Sequence, residues 1–176
     1  MNVLALDLAL GKTGFATQSG SGVFSPPSSH NRGVQRLQWI RDRVMQFVFQ
    51  GAIDLVVIEG YAYARANQAH QIGELGGVVR LELTEQRMPW IEIPPSTLKK
   101  LATGKGNAVK ELVLVEAVKR LGYDGCDNNT SDALWLLQAA LQGYGLPGAV
   151  ELPKTHLAAL DKVKWPEIAD RLSHVP

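Results

Sequence analysis

The chain has 176 residues, 45% of them hydrophobic and 20% charged, and its 18 Lys and Arg against 17 Asp and Glu leave a formal net charge of +1. That length suits one domain with a sizeable core, and the proportions exclude a disordered or fibrous chain. The balance also lacks the gross basic excess of many nucleic-acid binders, so any such reading has to rest on where the charge lies.

In chain order, Asn2 to Leu8 reads as a buried strand running into a Gly-punctuated turn, with Gly14 to Gln18 as its return arm. Ser19 to Arg32 is rich in Ser, Gly and Pro and reads as a loop, with a short strand at Gly22 to Phe24. Val34, Leu37, Ile40, Val44, Phe47 and Val48 recur at helical spacing up to Gly51. Ile53 to Ile58 is a short run rich in β-branched residues, suited to a strand buried on both faces and ended by Glu59 and Gly60.

Asn67 to Gln86 reads as a second helix, with Gly73, Gly76 and Gly77 near one face where another backbone can approach closely. Trp90 to Ile93 is a candidate strand, and Pro94 and Pro95 end it before a short helix from Ser96 to Leu101. A Gly-rich turn, Thr103 to Gly106, precedes a helix from Ala108 to Leu121, and a last helix runs from Ser131 to Gln142. Beyond Gly143 the chain carries four prolines and a weak helical pattern from His156 to Val163, which reads as an appendage. Strands and helices alternate after an opening run of strands, which predicts an α/β fold with helices on the faces of a mixed sheet.

The one cysteine, Cys126, can form neither an internal disulfide nor a thiolate metal cluster, and fits a reducing compartment. No basic stretch and cleavage site mark a secretory leader, and no segment reaches the ~20 apolar residues of a membrane span, so a cytoplasmic protein is expected.

Three carboxylates stand where elements end or begin: Asp7 in the first strand, Glu59 after the IDLVVI run, and Asp132 in the first turn of the last helix. Carboxylates at strand ends of an open sheet project into a crevice, and such a cluster suits Mg²⁺, which takes oxygen ligands and keeps several waters. Singly, each has an ordinary explanation. Asp7 can start a turn, and an acid in a helix's first turn is favoured by the helix dipole. Glu59 is harder to dismiss, because it follows directly on a buried run. Positive charge gathers from Ser96 to Arg120, where six Lys and Arg face two acids. Lys99, Lys100, Lys105 and Lys110 can neutralise phosphates while Gly104 and Gly106 let the backbone come close, although most lysine groups are simply a solvated face. Trp39, Trp90, Trp135 and Trp165 read as packing residues, and the four histidines and Cys126 as structural or incidental.

As a set, four segments resemble the RuvC-type Holliday junction resolvases of the RNase H-like superfamily. These are ALDLALGKTGFA, VVIEGYAYARANQAHQIGELGGVV, LKKLATGKGNAVKELV and NNTSDALWLLQAA, in the family's order and spanning Met1 to about Gln142. The resemblance implies an RNase H-like five-stranded mixed sheet over residues 1–145, with 146–176 appended. It implies a homodimer that nicks four-way and other branched DNA symmetrically, with Mg²⁺, or Mn²⁺ in its place, held by Asp7, Glu59 and Asp132. Lys99 and Lys110 carry over as phosphate-binding residues, and Lys105 is added on its own position. Tyr61 and Tyr63, in the loop after Glu59, are candidates to stack on an opened base. The family often places a further acid or a His three residues before the last Asp. Here that position is Asn129, so the fourth ligand is Asn129 or a displaced Asp127. The divergent N-terminal loop and short length resemble bacteriophage members more than cellular ones. Other readings are a flap or RNA-hybrid nuclease of the same fold, and a junction-binding protein without activity. DLALGKTG also resembles the phosphate loop of actin-like ATPases, for whose second domain the chain is too short.

Overall fold

The computed structural model describes residues 1–60 and 66–168, the side chains of residues 66–69 and 71 excepted. Five strands, β1 (Val3–Asp7), β2 (Thr13–Thr17), β3 (Gly20–Phe24), β4 (Leu55–Glu59) and β5 (Trp90–Ile93), form one sheet in the order β3-β2-β1-β4-β5. The first three make an antiparallel meander, while β1, β4 and β5 run parallel, with Leu6 beside Ile58 and Glu59 beside Ile93. This is the mixed sheet expected from the order of elements.

The alternation of side chains along a strand divides the core in two. Leu4, Leu6, Val56 and Ile58 point to the face covered by α1 (Gly33–Gln50) and α2 (Ala66–Glu85), where they meet Ile40, Val44 and Val48 of α1 and Leu75, Val79 and Leu83 of α2. Val3, Ala5, Leu55 and Val57 point to the other face, which carries α3 (Pro95–Thr103), α4 (Lys110–Leu121) and α5 (Asn128–Gly143). Because β1 and β4 are buried on both faces, neither shows a polar alternation. Phe15 and Phe47, with ring centroids 4.6 Å apart, join Phe24 and Trp39 to seal the β2–β3 margin against α1.

Helix α5 is the central pillar of the second layer, with Ala133, Trp135, Leu136, Ala139 and Ala140 all buried against β1, β2 and α4. Trp135 is fully buried and donates its indole N–H to the Val113 carbonyl, 3.2 Å away, so the expected packing role is what the fold shows. The helix begins three residues before the expected Ser131. Asp127 caps it, its Oδ1 accepting from the backbone N–H groups of Asn129 and Thr130 at 3.0 and 3.1 Å. Conversely α4 starts at Lys110 instead of Ala108, since Val109 is still extended.

The segment expected as an appendage packs closely as far as residue 168. Among the described residues its one helix, the four-residue α6 (Lys154–Leu157), is shorter than the 156–163 pattern suggested. Leu152 and Ala159 are buried, and Trp165 stacks edge-on against Tyr144, whose hydroxyl donates to the Pro166 carbonyl. Gln138 of α5 ties the same segment down, donating to the Gly148 carbonyl and accepting from Val150 N–H.

Candidate active site

Parallel neighbours end at the same edge, so β1 and β4 deliver Asp7 and Glu59 side by side. Both continue the row of Val3, Ala5, Leu55 and Val57, and therefore face α5. Asp132 meets them there. It lies in the second turn of α5, the fifth residue and not in the first turn as expected, so the helix dipole does not account for it. Asp7 and Asp132 are only 7% and 4% exposed, and one ligand oxygen from each of Asp7, Glu59 and Asp132 lies within 4.8 Å of the others.

Three carboxyl groups so close repel one another. Burial, then the charge of Asp132, pushes Asp7 up to about 6. Burial and the charges of Asp7 and Asp132 push Glu59 to about 9, which leaves it the proton donor in a hydrogen bond to Asp7. Asp132 is raised by burial, against the opposing pull of Lys110 and Lys99. Lys110 Nζ stands 3.3 Å from Asp132 Oδ2. Burial works against the Lys110 charge, but Asp132, Asp7 and Glu59 outweigh it and hold the ammonium above the ordinary lysine range.

Among the other expected residues, Lys99 on α3 lies close enough to act on Asp132, while Lys100 is its half-buried neighbour and Lys105 stands exposed in the following turn. Asp127 does not join the cluster, because one of its oxygens is committed to capping α5. Asn129 is held differently again: its Nδ2 donates to the Lys12 carbonyl in the β1–β2 turn, at 2.6 Å. The amide thus joins the turn that follows Asp7 to the helix that carries Asp132. Tyr61 and Tyr63 lie outside the described residues.

Two contributors were not read from the sequence. Thr13, almost wholly buried, closes the turn by donating its hydroxyl to the Ala9 carbonyl and accepting from Ala9 N–H. Gly14, the partner of Asp7 in the sheet, lets the α5 backbone come so near that a Cβ there would stand 2.0 Å from the Asn129 carbonyl oxygen. The clue was a Gly inside a strand, which marks a close backbone approach. Gly14→Ala is expected to cost more than about 3 kcal/mol, since the clash is with backbone and cannot be relieved by a rotamer. Thermal unfolding measures this, and an unchanged midpoint would contradict the packing described.

A concavity of about 630 Å³ lined by Asn2, Phe15, Gln18 and Phe47 lies at the opposite end of the strands, and the side-chain amides of Asn2 and Gln18 there are engaged with backbone. The carboxylate cluster sits instead at the C-terminal ends of β1 and β4.

Comparison with known proteins agrees with this geometry. A family model described as crossover junction endodeoxyribonuclease RuvC matches residues 18–137. The crossover junction endodeoxyribonuclease RuvC of Synechococcus sp. (strain WH7803) is 25% identical over 153 residues, covering 82% of this chain and 98% of the relative. That of Prochlorococcus marinus (strain MIT 9303) is also 25% identical, with the same coverage. The structure of Thermus thermophilus RuvC superposes with a TM-score of 0.66 at 21% identity, covering 86% of this chain and 99% of that one. T. thermophilus RuvC in complex with a Holliday junction substrate gives 0.65 at the same identity. The sheet order and helical layers are thus those of the RNase H-like fold, and the chain belongs to the crossover junction endodeoxyribonuclease RuvC family.

Proposed function

We propose that this chain is a divalent-cation-dependent endonuclease that resolves four-way DNA junctions by symmetric nicking as a homodimer. The observation that carries this is the convergence of Asp7, Glu59 and Asp132 at the strand ends of a RuvC-family sheet. The donor set fits Mg²⁺: all three are hard oxygen ligands, and their mutual repulsion is what a divalent cation relieves. When bound, such cations activate water for attack on phosphorus and stabilise the leaving 3′ oxygen. Mn²⁺ suits the same ligands.

The chain's own residues supply the rest. Asp7, Glu59 and Asp132 would hold the cations, with Glu59 giving up its proton to do so. Lys110, paired with Asp132, brings positive charge beside the carboxylates, where a scissile phosphate gathers charge. Lys99, Lys100 and Lys105 extend that charge along α3 and its following turn, to neutralise flanking phosphates. Tyr61 and Tyr63 follow Glu59 in sequence, where stacking on an unpaired base at the junction centre is expected. For the dimer, α2 offers a surface: a Cβ at Gly77 would meet nothing within 4 Å, and Leu81 one turn on is 60% exposed. A two-fold dimer places two such sites across a two-fold junction.

The decisive assay incubates the protein with an end-labelled four-way junction, with and without Mg²⁺, beside duplex, flap, fork and RNA-hybrid controls. Paired symmetric nicks that need Mg²⁺ are expected. Binding without cleavage would make the chain a junction-binding protein, and cleavage of flaps or RNA hybrids alone would move its activity elsewhere within the fold. In the same assay Lys110→Ala is expected to lower kcat about 100- to 1,000-fold, as loss of one preorganised stabiliser of developing charge does.

A further inference from the structure

The carboxylates are held by the sheet and α5, but the basic turn beside them is held from elsewhere in the chain. Helix α3 ends in Gly104, in the left-handed conformation at φ 77°, whose N–H donates to the Lys100 carbonyl. The next N–H, that of Lys105, would ordinarily reach the Leu101 carbonyl. It bonds instead to Thr103 Oγ1 at 3.1 Å, and that hydroxyl also reaches the Lys99 and Lys105 carbonyls. The buried Leu101 carbonyl is satisfied by a side chain 55 residues away: His156 Nδ1 lies 2.8 Å from it. A carbonyl only accepts, so Nδ1 carries a proton and donates it, and the Nε2 edge of the ring faces the turn. There a Cβ on Gly104 would stand 3.1 Å from His156 Nε2, so the imidazole lies directly against the glycine. On the far side, Gly106 rests against the Ser96 carbonyl.

We propose that His156 is a positioning residue for DNA binding. Through it the C-terminal segment sets the shape of the Thr103–Gly106 turn, so that Lys105 and the turn's backbone meet a DNA phosphate. This rests on the reading of Lys105 as a phosphate contact. His156 is suited to the task because its own backbone is fixed. Leu152 and Ala159 are buried on either side of it, and α6 packs on α3. Residues beyond 137 lie outside the stretch that the family model matches. A histidine buried only to fill space would need neither the bond to an orphaned helix carbonyl nor contact with the one residue of the turn whose φ is positive.

The salt dependence of junction binding tests this, because each phosphate contact contributes about 0.9 to the slope of log K against log[salt]. Binding is measured without divalent cations for wild type, Lys105→Ala, His156→Ala, His156→Asn and the double variant Lys105→Ala/His156→Ala, with thermal midpoints alongside. Lys105→Ala is expected to lower the slope by about one and weaken binding about three- to tenfold. His156→Ala should reproduce both changes, and the double variant should add nothing to Lys105→Ala. Asn offers an amide donor near the Nδ1 position, so His156→Asn should recover most of the slope.

If His156→Ala lowers the midpoint but keeps the wild-type slope, or if the two losses add, the histidine is merely structural. If Lys105→Ala itself leaves the slope unchanged, the turn touches no phosphate, and the proposal falls together with that reading of Lys105. Failure of the wild type to bind junctions would instead overturn the proposed function, and this positioning role with it.

Discussion

Replacing Asp7 by Asn is expected to reduce junction cleavage by more than about 1,000-fold while leaving junction binding intact. The estimate follows from the several kcal/mol that a correctly held cation contributes to a phosphoryl-transfer transition state, at about 1.4 kcal/mol for each factor of ten. Asp7 is hydrogen-bonded to Glu59 and repelled by Asp132. An amide there keeps the shape of the side chain but gives up its negative charge. The same substitution should stabilise the cation-free protein by about 1–3 kcal/mol near neutral pH, because it removes a buried charge whose ionisation is opposed. Loss of activity with a raised thermal midpoint is the signature of a residue kept for chemistry at the expense of the fold. Cleavage within tenfold of wild type would remove Asp7 from the catalytic set. A lowered midpoint would mean that the charge is structural.

The second large effect is on stability against pH. Asp7 and Glu59 are pushed up to about 6 and about 9 from ordinary values of 3.8 and 4.5. Between about pH 4 and 9 the folded, cation-free protein therefore holds protons that the unfolded chain has already released. Stability from these groups is fully present below about pH 4, and it is lost as the pH rises through 6 and then 9. The limiting slope is about 1.4 kcal/mol per pH unit for each proton retained. The thermal midpoint without divalent cations should thus fall between pH 5 and 9, and Glu59→Gln should flatten the decline. Mg²⁺ requires the ionised carboxylates, so the rise in midpoint that it produces should grow over the same interval. Calorimetry across that range, with and without Mg²⁺, distinguishes this from a site in which the carboxylates ionise freely, which would give a flat or rising midpoint without metal.

Much of the site was legible because its residues break a local rule. A strand as apolar as IDLVVI ending directly in Glu59 has to deliver that charge to an open edge, and Asp7 ends VLAL in the same way. Asp132 breaks no such rule, since an acid near a helix start is ordinary, and only its place in the NNTSDALWLLQAA motif marked it. The lysines were legible as a concentration of charge. Which of them faces the carboxylates was not, because Lys99 and Lys100 are adjacent in sequence and differ only in their angle around α3.

The sequence by itself determined the elements, their order and the two strand-end carboxylates, because hydrophobic periodicity reports the hydrogen bonding and burial of one element at a time. Tertiary structure decided what those elements do to one another. Between Asp124 and Ser131 several side chains could have capped α5, and Asp127 does so because its oxygen reaches the two free N–H groups. That choice turns Asn129 toward Lys12, 117 residues away in sequence, and moves Asp132 into the second turn, where it meets Asp7 and Glu59. It was likewise the packing of the C-terminal segment on α3 that brought His156 to the Leu101 carbonyl. Contacts of this kind leave no periodic trace, because they depend on the angle and separation at which whole elements pack, and those are set by the sum of many side-chain volumes across the core.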